Sequence, residues 1–347
     1  MYKLNRLDMG LTTRCNAACP QCPRTNAETN KGWDWLKLEE LTLEDIQKIV
    51  PPQFFKDNLI LTISICGGYG DPLLASELFP ILEYFFQYAN KADIFIATNG
   101  AMKKPVSWWH RLGKLLAKAP RRVEVTFGLD GINQEMHAAY RVHTDFDVAL
   151  RNAQILRMYN VEVCWQYIMF DHNYEYVDQA REMAKKYHFT RFSPITSTRT
   201  PIMDISPPNE IKELYTTRGA SYNLFTNNEN YDIIKCISEE AREVHIHCDG
   251  YIVPCCFLDE RYFMMKYKRE HMKVHGVQEK DLIELKGIPA VDDIFELYGS
   301  VDIEIFNAKE RGLQAVVDDP WWDTFLEKRD QFKIHKCNDI CGKCSTA

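Results

Sequence analysis

The sequence lacks any run of about 18 apolar residues, the length that a membrane-spanning helix requires. Its lysines and arginines form only short clusters and its formal net charge is −7, so it offers no extended basic surface for nucleic acid. The first six residues lack the apolar core of a secretory signal. Internal repeats and low-complexity tracts are absent as well. These absences predict a cytoplasmic protein that binds no membrane and for which nucleic acid is not the default partner.

Cysteine, by contrast, is abundant and unevenly distributed. Of the 12 cysteines, three lie within eight residues near the start and seven lie beyond residue 235. Because a reducing compartment disfavours a disulfide framework, this distribution indicates metal sites. The length of 347 residues suits one large domain and a smaller one.

Short apolar runs alternate with helix-like segments from residue 4 to about 195. Six strands alternating with five helices predict an α/β fold, in which right-handed crossovers curl a parallel sheet into a full or partial barrel. In such barrels the loops that follow the strands carry the chemistry. The predicted strands are 7–11, 59–66, 93–98, 122–127, 161–169 and 190–192, and the predicted helices are 42–50, 78–88, 108–117, 146–158 and 174–187.

The pattern changes after the barrel. Residues 1–200 are predicted to form the barrel domain, 201–235 a linker rich in Pro and polar residues, and 236–347 a smaller α+β domain. Within the last, Asp249 and Gly250 are a strong turn signal between two strand-like runs, which predicts a hairpin.

The first cysteine group has the spacing C-x3-C-x2-C directly after the first predicted strand. Cys15, Cys19 and Cys22 are soft ligands suited to an iron–sulfur cluster or to zinc. Three thiolates on a 4Fe–4S cluster leave one iron open, and an open metal position is typical of a catalytic site. Zinc with a fourth ligand from elsewhere, or a disulfide, remains the alternative on spacing alone.

This motif resembles the signature of the radical S-adenosylmethionine (SAM) superfamily. The resemblance implies that SAM chelates the open iron through its amine and carboxylate. Reductive cleavage of SAM then gives a 5′-deoxyadenosyl radical, which takes a hydrogen atom from the substrate. Gln21 stands where relatives usually have an aromatic residue whose backbone contacts adenine.

A glycine-rich segment after the second predicted strand resembles the motif by which this superfamily binds the SAM amino group. It comprises Gly67, Gly68, Tyr69, Gly70 and Asp71, with Asp71 in place of the usual Glu. Glycines let polar backbone groups approach a ligand closely, although the segment alone could equally be a tight turn.

Further SAM-binding residues follow from the resemblance at the ends of later strands. Thr98 and Asn99 end the third strand, and Asp130 follows the fourth, two residues after Gly128, where relatives often have Ser. Arg141 is a candidate for gripping the SAM carboxylate through its guanidinium, with a surface arginine as the alternative. Cys66 and Cys164 lie in strand-like runs and are interpreted as buried apolar residues.

The C-terminal cysteines resemble the opening of the SPASM and twitch domains, which carry auxiliary clusters in this superfamily. The matching spacing is C-x13-G-x4-C from Cys236 to Cys255, and the tail adds Cys341 and Cys344. The resemblance implies one auxiliary 4Fe–4S cluster on these four thiolates, with residues 257–335 as an insertion. Two clusters or a structural zinc site are the alternatives. Three further C-terminal cysteines are left without a role: Cys248, Cys256 and Cys337.

Together these features predict a radical SAM oxidoreductase or modifying enzyme. Its substrate would be a peptide, a protein side chain or a small sugar-like molecule, and its electrons would come from an external flavodoxin-like or ferredoxin-like donor. The sequence alone places no catalytic general base. The competing hypotheses are a zinc-stabilised binding protein without catalysis and a nucleic-acid-modifying radical enzyme.

Overall fold

The computed structural model describes most of the barrel and parts of the C-terminal region. The predicted linker at 201–235 lies almost wholly outside the described residues, as do Cys344 and much of the predicted insertion at 257–335. The described residues are 3–26, 28–197, 233–234, 236–259, 262, 266, 289–298, 301–331, 333–335, 337 and 341–343.

An eight-stranded, almost entirely parallel sheet forms the core of the fold and confirms the predicted α/β class. The described strands are β1 Arg6–Met9, β2 Thr25–Asn26, β3 Lys31–Gly32, β4 Thr62–Ile65, β5 Asp93–Thr98, β6 Val123–Gly128, β7 Glu162–Met169, β8 Arg191–Thr196, β9 Ile233–Ile234, β10 Glu243–Ile246, β11 Ile252–Val253 and β12 Gly342–Lys343. The order of strands in the large sheet is β11-β10-β1-β4-β5-β6-β7-β8, and only the β10–β11 pair in it is antiparallel. Each predicted barrel strand overlaps an observed one.

The helices connect successive barrel strands and cover the sheet. Thr42 caps the first helix: its side chain accepts a hydrogen bond from the Asp45 amide, and the Asp45 side chain accepts one from the Thr42 amide. The described helices are α1 Leu43–Ile49, α2 Pro52–Asp57, α3 Leu78–Tyr88, α4 Val106–Leu116, α5 Gln134–Ala138, α6 Phe146–Arg157, α7 Val177–Lys186, α8 Ile237–Glu240, α9 Pro289–Tyr298, α10 Ala308–Arg311, α11 Leu313–Val317 and α12 Trp321–Asp330.

The hairpin predicted around Asp249 and Gly250 is present, but it belongs to the barrel sheet. Its first strand, β10, pairs in parallel with β1, so that Leu7 lies opposite Val244 and Met9 opposite Ile246. The sheet therefore contains strands from both sides of the predicted linker. The boundary at residue 236 stays a prediction, although the sheet itself does not stop there.

Two of the four hydrophobic clusters among the described residues hold most of the elements together. The larger lies between the barrel sheet and its helices and includes the fully buried Trp109 and Trp165. The smaller lies in the C-terminal part and includes Phe306, Trp321 and Phe325, whose aromatic rings pack against one another. No described helix has both the length and the apolar composition that crossing a bilayer requires.

Candidate functional site

The three N-terminal thiols lie on one wall of a cavity at the carboxyl ends of the barrel strands. Cys15, Cys19 and Cys22 line it together with residues that end or follow strands β4 to β8. Its volume of about 420 Å³ suits a small ligand. The structure therefore brings the predicted cluster loop to the end of the sheet where such barrels carry their chemistry.

Arg24 connects the glycine-rich segment to the segment that carries the three cysteines, residues 12–22, which we call the cysteine loop. Its Nε donates a hydrogen bond to the carbonyl of Tyr69 at 2.9 Å, and its Nη1 donates one to the carbonyl of Ala17 at 3.2 Å. Its Nη2 donates to the carbonyl of Thr13 at 3.4 Å. Because one rigid guanidinium bonds three carbonyls, it fixes the relative position of the two loops.

The glycine-rich segment packs directly on the backbone of the cysteine loop. A Cβ at Gly70 would lie 2.0 Å from the carbonyl oxygen of Thr12 and 2.8 Å from that of Arg14, so no side chain fits there. The next amide, of Asp71, donates to the Arg14 carbonyl at 2.8 Å. The glycine is thus required for a close approach between two backbones.

The carboxylate of Asp71 organises the end of β5. It accepts hydrogen bonds from the Thr98 hydroxyl at 2.8 Å, from the Asn99 amide at 2.8 Å and from the Asn99 side chain at 2.7 Å. Burial raises the pKa of Asp71, and the Asn99 amide and the Thr98 hydroxyl oppose that shift. The Asn99 side chain also donates to Asn16 Oδ1 at 2.9 Å and so reaches the cysteine loop.

A buried ion pair places a guanidinium in the same cavity. Arg141 Nε lies 2.6 Å from Asp130 Oδ2, while Asp130 Oδ1 accepts from the Ile168 amide at 2.7 Å. Burial opposes the charge of Arg141, but Asp130 outweighs it and raises the arginine's pKa. A Cβ at Gly128 would lie 2.5 Å from Arg141 Nη2, so the glycine that replaces the relatives' Ser makes room for this guanidinium.

The predicted SAM-binding residues divide into two groups. Four are not among the residues that line the cavity: the Gln21 side chain accepts from the Ser197 hydroxyl at 2.7 Å, Gly68 faces Asp259, Tyr69 packs beside Trp35, and Asp130 is paired with Arg141. Six line the cavity: Gly67, Gly70, Asp71, Thr98, Asn99 and Arg141.

A family model matches most of the part of the chain that carries this cavity. Residues 9–186 match the family described as the Radical SAM superfamily, which is just over half of the chain. The chain belongs to the radical SAM superfamily. It is therefore an enzyme of SAM radical chemistry, and membership of the family implies a 4Fe–4S cluster and SAM as its cofactors.

Individual relatives of this radical SAM enzyme are distant. The chain is 23% identical over 291 residues to the GTP 3′,8-cyclase of Nautilia profundicola, covering 77% of this chain and 86% of that protein. SuiB of Streptococcus suis, solved with SAM, is 15% identical with a TM-score of 0.56, covering 74% of this chain and 61% of SuiB. Native anSMEcpe with bound AdoMet is 17% identical with a TM-score of 0.53, covering 96% and 100%. These likenesses confirm the fold and leave the substrate undetermined.

Cys66 is a cavity residue that sequence reasoning missed. Its interpretation as a buried apolar side chain is wrong: Cys66 is half-buried and lines the cavity with Cys15, Cys19 and Cys22. Its thiol donates to Asp8 Oδ1 at 3.0 Å. Cys164, interpreted in the same way, is fully buried as predicted. Asp8 on the neighbouring strand β1 makes the surroundings of Cys66 partly polar. The sequence alone does not predict this hydrogen bond.

A chain of buried charges continues inward from Asp8. His245 Nδ1 lies 2.9 Å from Asp8 Oδ2 and its Nε2 lies 3.4 Å from Asp259 Oδ2. His247 Nδ1 in turn lies 2.8 Å from Asp249 Oδ1. Burial lowers the pKa of His245, but Asp259 and Asp8 outweigh it and raise that pKa to about 10.

This geometry predicts an alkaline loss of stability. A histidine whose pKa is raised to about 10 stabilises the fold fully below its unfolded pKa near 6.5, and that contribution is lost as the pH rises through 10. We expect the free energy of unfolding to fall by a few kcal/mol across this window. In His245→Gln the fall should be smaller, from a lower starting value, and the part that remains comes from His247, whose pKa Cys248, Asp249 and Asp259 also raise. Urea titrations at about pH 6 and about pH 9 measure it.

His110→Gln is the matched control, since His110 bonds Tyr159 Oη and takes no part in this chain of charges. An equal alkaline loss in His245→Gln and in the parent protein would contradict the prediction.

The C-terminal thiols also converge, on a second cavity of about 370 Å³. Cys236, Cys255, Cys337 and Cys341 line it. Strand β12 pairs with β9, which brings the tail beside Cys236. A hydrogen bond with Cys341 lowers the pKa of Cys236 to about 6, a shift that favours a thiolate ligand. Cys337, left without a role by its spacing, is therefore part of the group.

Proposed function

We propose that this radical SAM enzyme oxidises or modifies a peptide, a protein side chain or a small sugar-like molecule, using a cluster on Cys15, Cys19 and Cys22. The observation that carries the proposal is that these three thiols and the Arg141 guanidinium face one cavity. When bound there, the cluster and SAM supply a 5′-deoxyadenosyl radical that removes a hydrogen atom from the substrate.

The residues of the chain fit these cofactors. Three soft thiolates suit an iron–sulfur cluster with one iron left open. Arg141 offers a charged fork for the SAM carboxylate, and its partner Asp130 restrains its orientation. Gly67 and Gly70 line the same cavity, where polar backbone atoms can bind the SAM amino group. Asp71 acts on the cavity indirectly, by holding Thr98 and Asn99.

The test is reconstitution of the protein with iron and sulfide in the absence of oxygen, followed by dithionite and SAM. We expect a brown protein that forms 5′-deoxyadenosine, detected by chromatography. A colourless protein that binds zinc and forms no 5′-deoxyadenosine would support the zinc-stabilised binding protein instead. Salt-sensitive binding to RNA or DNA would revive the nucleic-acid-modifying hypothesis.

The proposed substrate classes rest on the similarity of the fold to SuiB. SuiB has been solved bound to its precursor peptide SuiA, and the fold of this chain is similar to that of SuiB. The chain spans only 61% of SuiB, so we propose a peptide substrate and a small-molecule substrate on equal terms. Incubating the reconstituted enzyme with peptide and sugar libraries, and measuring stimulated 5′-deoxyadenosine formation, separates the two classes.

We further propose that the C-terminal thiols hold one auxiliary 4Fe–4S cluster. Cys236, Cys255 and Cys341 belong to the ligand set in either arrangement, and the fourth ligand is Cys337 or Cys344. The described geometry favours Cys337, because it lines the same cavity as the other three. Four protein ligands leave no open iron, so this cluster would transfer electrons rather than bind SAM.

Cys337→Ala is therefore expected to lose the auxiliary cluster and keep the first one. Iron content should fall by about half, from about eight to about four per chain. Formation of 5′-deoxyadenosine without added substrate should continue, because the barrel cavity is untouched. Iron and sulfide analysis with electron paramagnetic resonance measures the outcome. Cys344→Ala is the matched control and should keep both clusters; the reverse result would restore Cys344 as the fourth ligand.

A further inference from the structure

Cys66 lies at the end of β4, on the face of the sheet that lines the barrel. Its amide donates a hydrogen bond to the Met9 carbonyl at 3.0 Å, which extends the pairing of β4 with β1 by one residue. Successive side chains of a strand point to opposite faces. Because Ile63 and Ile65 are buried in the larger hydrophobic cluster, between the sheet and its helices, Cys66 faces the other way. There it lines the cavity with the thiols of the cysteine loop.

The hydrogen bond to Asp8 distinguishes Cys66 from a cluster ligand. Cys66 Sγ donates to Asp8 Oδ1 at 3.0 Å, and a sulfur atom donates only while it carries its proton. Asp8 accepts as an anion, because its Oδ2 lies 2.9 Å from His245 Nδ1. Burial lowers the pKa of His245, but Asp259 and Asp8 raise it to about 10, so this ring is a cation at neutral pH. Metal ions bind the thiolate, whereas this arrangement keeps Cys66 a thiol.

A protonated thiol in this cavity is a source of hydrogen atoms for carbon radicals. An S–H bond is weaker than most C–H bonds, so a carbon radical takes the hydrogen atom from a thiol readily. The O–H bonds of water and of aliphatic hydroxyl groups are too strong to react in this way. Apart from the proposed cluster ligands, two other described residues of the cavity carry a hydrogen atom that is as weakly bound: the Cys256 thiol and the Tyr140 phenol.

A chain of buried ionisable groups connects Cys66 to the partly exposed Lys266. It runs through Asp8, His245, Asp259, His247 and Asp249. The longest step is 3.8 Å, between His247 Nε2 and Asp259 Oδ1. Lys266 Nζ lies 2.8 Å from Asp249 Oδ2, and the lysine side chain is 19% exposed. Because each step joins an acid to a base, the chain can return a proton to Cys66 after the sulfur has lost its hydrogen atom.

We propose that Cys66 donates a hydrogen atom to the substrate radical, so that the carbon that lost a hydrogen atom regains one. The S–H bond breaks, a C–H bond forms on the substrate, and a thiyl radical remains on Cys66. One electron from the reduced auxiliary cluster and one proton from the Asp8–His245 pair restore the thiol. This rests on the proposed function and narrows it, because the substrate carbon is modified without a net change of its oxidation state.

The test uses the 5′-deoxyadenosyl radical itself as the probe, without added substrate. The reconstituted protein is freed of small thiols, equilibrated in heavy water and given dithionite and SAM. Thiol hydrogens exchange with heavy water, whereas carbon-bound hydrogens do not. We expect the parent protein to form deuterated 5′-deoxyadenosine, measured by mass spectrometry. In Cys66→Ser the deuterium should be lost from the product, because serine can keep the hydrogen bond to Asp8 but its O–D bond is too strong to react.

Cys256→Ser and Tyr140→Phe are the matched controls, since both residues line the same cavity, and both variants should keep the deuterium. Loss of deuterium in either control, or unchanged deuterium in Cys66→Ser, would overturn the proposal. A fall of about four iron atoms per chain in Cys66→Ser would also overturn it, by making Cys66 a cluster ligand. Undeuterated product from the parent protein rejects the role of Cys66 alone. If the parent protein forms no 5′-deoxyadenosine at all, the proposed function fails instead.

Discussion

Replacing Cys15, Cys19 and Cys22 together with alanine is expected to abolish 5′-deoxyadenosine formation. The three thiols are the cavity's soft ligands on the cysteine loop, and without them no cluster can present an open iron to SAM. The rate should fall to the uncatalysed background, a loss of several orders of magnitude. Chromatographic measurement after anaerobic reconstitution gives the rate, and iron analysis should show a loss of about four iron atoms per chain.

Cys164→Ala is the control for removing a cysteine as such. Cys164 is fully buried in β7 and lines neither cavity, so its removal should leave iron content and 5′-deoxyadenosine formation close to those of the parent. The central claim fails if the triple variant keeps the parent rate, or if the parent protein forms no 5′-deoxyadenosine under the same conditions.

Arg141→Met is expected to weaken both the fold and the binding of SAM. Removing the guanidinium leaves the fully buried Asp130 carboxylate without its cation, which costs about 3–5 kcal/mol of unfolding free energy. It also removes the guanidinium proposed to bind the SAM carboxylate, so the affinity for SAM should fall by at least tenfold, which corresponds to about 1.4 kcal/mol. Urea titration and calorimetric titration with SAM measure the two effects.

A second variant separates the two roles of this arginine. In Arg141→Met/Asp130→Asn the uncompensated charge is removed, and much of the lost stability should return. The affinity for SAM should stay low, because the guanidinium is still missing. If the double variant regains the parent affinity, Arg141 supports the fold alone and does not bind the SAM carboxylate.

Much of the barrel could be predicted because its signals are local. Alternating apolar and helical runs define the strands, and β5 is predicted with the bounds that the structure shows. The glycine-rich segment and the cysteine loop were predicted to lie at one end of the sheet because they follow neighbouring strands. The close contact between Gly70 and the cysteine loop explains in turn why glycine occurs there.

The rest depends on contacts between distant parts of the chain. A hairpin pattern at residues 245–253 predicts two strands but cannot say that the first pairs with β1. Cys66 lines the cavity and donates a hydrogen bond to Asp8, which lies 58 residues earlier in the chain. Cys337 lines one cavity with Cys236, Cys255 and Cys341 through tertiary packing, which its position in the sequence does not predict. Hydrophobic periodicity and motif spacing describe residues that are close along the chain. In these three cases the partners are distant along the chain and close only in the folded structure.

The pairing of β1 with β10 determines the order in which the two edges of β1 can be paired during synthesis at the ribosome. One side of β1 is paired by β4 early, but its other neighbour follows only at Glu243, roughly 180 residues after β4. At about 5–20 residues per second, the nascent sheet waits roughly 10–35 s with an open edge beside the cysteine loop. Open edges recruit strands from other chains. Polypeptides that stop before Glu243 would keep that edge of β1 open, so β10 is the strand that protects it from pairing with other chains.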